Sequence, residues 1–76
     1  METLLEQFNN MHKMPIIELQ DETTGEWDYW TIYADLHGIR AIGTDLFIKW
    51  DETFSLDEHL ESLCEKLTEA QLNGTL

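Results

Sequence analysis

The side chains able to do covalent or metal chemistry in this chain are few and scattered. Cys64 is the only cysteine, and the histidines are His12, His37 and His59. His59 and Cys64 stand five residues apart on what reads as a helix, so they project roughly 140° apart. There is no C-x-x-C, no H-x-x-x-H and no calcium loop with its glycine and closing glutamate. Asp51-Glu52 with Asp57-Glu58 could hold a cation weakly, but the pattern reads better as acids that flank and cap a helix. A nucleophile needs a base within reach, and that base needs an orienting partner. Cys64 lies beside a leucine stripe, where it reads as a small packing residue. Ser55 and Ser62 take cap and surface roles. No Gly-rich phosphate loop is present, and a chain this short offers little concave volume. The sequence therefore predicts no enzyme, no cofactor and no metal site.

Charge is the stronger signal. Sixteen Asp and Glu stand against Lys13, Arg40, Lys49 and Lys66, a formal net charge of −12 over 76 residues. That balance disfavours bare nucleic acid and anionic membrane, and favours basic protein surfaces. The acids fall in three groups. Asp21, Glu22, Glu26 and Asp28 surround a turn; Asp45, Asp51, Glu52 and Asp57 lie in later loops; Glu58, Glu61, Glu65 and Glu69 line one side of a helix. Glu61/Glu65 and Glu65/Glu69 are like-charge pairs one turn apart, each costing the helix ~0.2–0.5 kcal/mol. A helix selected only for solubility could have alternated Lys with Glu and gained instead. The ridge reads either as a dock for a basic surface or as a solvated face.

The organisation is that of one small acidic domain spanning residues 1–76. Thr3-Leu4-Leu5-Glu6 is a capping box that opens a helix over 3–12, closed by Pro15. Strands follow at about 15–20, 27–36, 39–43 and 46–50, the last two alternatively one bent strand with a bulge at Gly43. Ser55-Leu56-Asp57-Glu58 opens a second helix over 56–72, whose Leu56, Leu60, Leu63, Leu67 and Ala70 make an apolar stripe. The short connections predict an antiparallel meander of three or four strands. The fold class is then α+β, a two-layer sandwich of order α-β-β-β(β)-α. Both helices should cover the face holding Trp30, Ile32 and Leu36; helices on opposite faces are the second arrangement.

That choice of face leaves Trp27, Tyr29 and Tyr33 outward, with Phe47 joining from a neighbouring strand. Rings of this kind are enriched in interface cores, although they can also shield strand edges. Base stacking on the rings would need a basic groove, which the charge denies. A core this small is worth ~3–5 kcal/mol net and often recruits a second subunit. The composition resembles, in its acidity alone, that of phage and bacterial proteins that imitate DNA to block nucleases, repair enzymes or repressors. No motif of such a family is present.

The expectation is therefore a small acidic interaction protein, a regulator, inhibitor or assembly factor. Its candidate surface is Trp27, Tyr29, Tyr33 and Phe47, the ridge Glu58, Glu61, Glu65 and Glu69, or both. Its partner would be a protein with a basic surface, in the DNA-mimic form a nucleic-acid-binding protein. A homodimer through the aromatic face is the alternative. The start of the chain lacks a basic segment followed by an apolar core, and no apolar run reaches ~18 residues, so a cytoplasmic location is the default.

Overall fold

A computed structural model describes residues 2–75. The elements are α1 (Leu4–Asn9), β1 (Ile16–Gln20), β2 (Trp27–Ala34), β3 (Gly38–Ala41), β4 (Phe47–Lys49) and α2 (Leu56–Leu72). The four strands make one antiparallel sheet in the order β1-β2-β3-β4. Ile17, Ile32, Ile39 and Ala41 of the sheet meet Leu4 and Phe8 of α1 and Leu56, Leu63 and Leu67 of α2 in one buried cluster. Both helices therefore pack on the same face, and the expected α+β arrangement is the one observed.

The period-2 alternation of the strands decides which residues enter that core. Ile17 faces Trp30, and Ala34, Ile39 and Ile48 stand in one row across three strands. The opposite rows carry Glu18 beside Tyr29, and Tyr33 beside Arg40 beside Phe47. The first half of β2 pairs with β1 and its second half with β3. The sheet is thus staggered and the molecule elongated, 44 × 23 × 18 Å.

Local chemistry moves several boundaries. The first helix ends at Asn9 rather than near residue 12, well short of Pro15. Asn9 and Asn10 are poor helix residues that compete for backbone hydrogen bonds, and the Met11 N–H already turns to the Phe8 carbonyl (3.2 Å). The second strand ends at Ala34, not Leu36. The Asp35 carboxylate accepts the N–H groups of His37 (2.8 Å) and Gly38 (3.2 Å), an Asx turn that outcompetes strand pairing. Leu36 consequently points to solvent, 83% exposed, instead of into the core. The bent-strand alternative at Gly43 is also overturned. The chain reverses there, and β3 and β4 pair antiparallel as separate strands.

Other local features form as their residues dictate. Thr3 and Ser55 cap the two helices by accepting from the N–H groups of Glu6 (3.1 Å) and Glu58 (3.2 Å). The first hairpin is held by Asp21, whose carboxylate accepts from Thr23 and Thr24. Gly25 completes that turn at φ 75°, a conformation glycine adopts without strain.

Candidate functional site

Neither helix covers the second face of the sheet. Trp27, Tyr29 and Tyr33 lie on it at alternate β2 positions, 62%, 69% and 48% exposed. With Thr31 between the tyrosines they form a stripe ~20 Å long. Phe47 lies on the same face two strands over but is only half-exposed. The Arg40 guanidinium lies 5.5 Å from its ring centroid, a cation–π contact, and also pairs with Asp35 at 3.3 Å. Phe47 is therefore shared with Arg40, whereas the other three rings are open.

The face is not uniform in charge. Glu18 borders Tyr29, and Glu22 and Glu26 lie exposed in the hairpin loop beyond Trp27. At the β3–β4 end, Arg40 and Lys49 stand with Leu36, Phe47 and Trp50 around a shallow basin. Two of the chain's four cations thus gather at one corner of an otherwise negative molecule.

The acidic ridge lies on the other layer. Glu58, Glu61, Glu65 and Glu69 are all exposed on α2. Glu58, Glu65 and Glu69 line a cleft of about 470 Å³ between α2 and β4, floored by Ile48 and Phe54. Glu61 is not among its lining residues. The ridge on α2 and the aromatic stripe on the outer face of β2 are therefore separate surfaces.

Sequence reasoning missed the residue that organises this cleft. His59 is buried, and its ring lies 5.3 Å from that of Trp50. Its Nε2 accepts the Asp51 N–H (2.9 Å), and its Nδ1 lies 2.7 Å from the Ser55 carbonyl. These partners assign the neutral ring with its proton on Nδ1. The signal was in the spacing, because His59 falls three residues after Leu56 and four before Leu63, inside the apolar stripe. Among the described residues no three His, Cys, Asp or Glu are grouped to hold a metal ion, and no helix is long and apolar enough to cross a membrane.

Two loop aspartates are held acidic by the donors around them. The His37 N–H, followed by the Gly38 N–H and Arg40, holds the Asp35 carboxyl below its ordinary value. The Thr53 hydroxyl (2.6 Å) and N–H (3.0 Å) do the same for Asp51. A depressed folded-state pKa contributes stability above the unfolded value, lost as pH falls through the folded one. Stability should therefore drop below the reference value of 3.8 for both, and Asp35→Asn should blunt that drop in an acid denaturation series.

Arg40–Asp35 is the one ion pair among the described residues. No other carboxylate among the described residues lies within ion-pair distance of a cation, although Asp21, Asp28, Asp51 and Glu52 accept neutral hydrogen bonds. Raising salt from about 20 to about 300 mM at neutral pH should raise the melting temperature by several degrees through screening of this repulsion. A flat melting temperature would show the charges to be already dispersed.

An α+β sheet with one helix-covered face and one open aromatic face is the class of molecule that the fold defines. No protein-family model, curated protein or solved structure matches the chain, so a functional reading rests on its own residues.

Proposed function

We propose that this is a small acidic, non-enzymatic interaction protein of the cytoplasm that binds a protein with a basic surface. The supporting observation is the open face of the sheet: Trp27, Tyr29 and Tyr33 stand exposed on a domain with too few cations to neutralise its acids. Exposed contiguous rings favour contact, and the surrounding field selects a positive partner. Nucleic-acid-binding proteins are the most concrete partner class, because their binding surfaces are built for a polyanion. The lone cysteine, half-buried on α2, accords with a reducing compartment.

Affinity capture from native lysate, with the Tyr29→Ser/Tyr33→Ser double variant alongside, tests the reading. Both side chains are exposed, so the variant should stay within about 1 kcal/mol of the parent in stability. It should lose at least about tenfold of the captured partner, as expected for removal of aromatic anchors. Equal capture by parent and variant would remove the aromatic face from the account.

A homodimer through the same face is the second reading, favoured by the same exposed rings and by a core of marginal size. Sedimentation at micromolar concentration separates the two. A monomer leaves the face free for a partner, whereas a dimer abolished by the double variant assigns the face to self-association.

A further inference from the structure

We propose that the cleft between β4 and α2 takes an extended basic segment of the partner as a fifth strand of the sheet. The inference rests on the acidic-docking reading above and adds the form in which the partner binds. β4 is an edge strand. The Trp50 N–H bonds to the His37 carbonyl and the Ala41 N–H to the Leu46 carbonyl, and Ile39 faces Ile48. Antiparallel alternation then directs the backbone groups of Phe47 and Lys49 away from β3, toward the open edge. The Phe47 carbonyl confirms that direction: it accepts from Lys66 Nζ on α2 at 3.4 Å. An ammonium already sits where an incoming strand would lie.

The flank of α2 beyond that edge sets the charge of the occupant. Asp51, Glu58, Glu65 and Glu69 line the cleft and outnumber its two cations, Lys49 and Lys66, and Phe54, over half exposed, is part of its floor. Glu65 and Glu69 are one helical turn apart, ~6 Å along the axis. Alternate residues of an extended strand are ~6.6 Å apart. Two basic side chains at alternate positions of an added strand therefore meet these two carboxylates, while its main chain pairs with Phe47 and Lys49. From α2, the opposite sheet edge at β1 meets Thr68, Gln71 and Leu72, none of them a carboxylate. At the β4 edge the Phe47 N–H and the Lys49 N–H and carbonyl are not taken by β3, and an incoming strand would displace Lys66 from the Phe47 carbonyl beside an acidic helix flank.

Parity gives the test. In a strand paired with β4, the residues whose amides face the edge have outer-face side chains, and inner-face residues aim theirs at α2. The probe is a synthetic peptide of about ten residues alternating Lys and Thr, titrated at low salt into the isotopically labelled full chain and read by amide chemical shifts. Shifts should concentrate at Phe47, Lys49, Ser62, Glu65 and Glu69. N-methylation of the threonine amides should weaken binding at least about tenfold, and of the lysine amides less than about twofold, because only the former removes edge hydrogen bonds. Glu65→Gln with Glu69→Gln should also cost at least about tenfold. Equal effects of the two methylations, or shifts confined to Trp27, Tyr29 and Tyr33, would overturn strand addition and leave the broader acidic reading intact. No shift anywhere at low salt would overturn both.

Discussion

Gly38→Ala is expected to cost about 3 kcal/mol or more, the upper range for forcing atoms into packed structure. Gly38 opens β3 directly opposite Lys49 of β4. A Cβ there would lie 2.0 Å from the Ile48 carbonyl oxygen and 2.9 Å from the Ile48 carbonyl carbon and the Lys49 Cα. All three are backbone atoms, so no side-chain rotation can relieve the clash. The strands must part, and the row Ala34–Ile39–Ile48 parts with them. For a domain with ~3–5 kcal/mol of net stability, that leaves a large unfolded fraction at 25 °C. Urea denaturation of parent and variant measures it. Gly25→Ala is the control, since a Cβ there meets nothing within 4 Å and only the φ of 75° is unfavourable. A Gly38 variant no less stable than the Gly25 one would show that the β3–β4 approach is looser than described.

His59→Ala should cost about 2–4 kcal/mol, the sum of a cavity and an orphaned donor. The Ser55 carbonyl would keep one partner, since it also accepts the backbone N–H of His59 (3.2 Å). The Asp51 N–H would keep none. His59→Leu separates the two contributions by refilling the volume without the nitrogen. It should recover part of the loss but not all, because the Asp51 N–H stays unpaired. A leucine variant as stable as the parent would reduce His59 to a space-filling ring. The imidazole also ties the segment after β4 to the first turn of α2, so its loss should loosen the end of the cleft where Asp51 and Phe54 stand.

The sequence carried the architecture further than the surfaces. Capping residues Thr3 and Ser55 and the stripe Leu56, Leu63, Leu67, Ala70 were legible because they depend on local spacing. The open face was legible too, since β2 alternates rings with apolar residues and only one set can meet the helices. Leu36 was misread because alternation was carried past Asp35, whose carboxylate ends the strand by taking two backbone N–H groups. The β4 edge and its cleft were not legible. They arise from tertiary placement of α2 beside the last strand, and no residue pattern in either element encodes it alone. Glu61 shows the same limit from the other side. It belongs to the ridge by sequence, yet the cleft selects only Glu58, Glu65 and Glu69.

The charge account stands or falls on how binding responds to salt. The direct measurement is the dissociation constant between the purified chain and its captured partner from about 50 to about 300 mM salt. Docking through uncompensated carboxylates predicts an affinity that falls at least about tenfold across that range. An affinity unchanged across it would contradict a charge-driven interface.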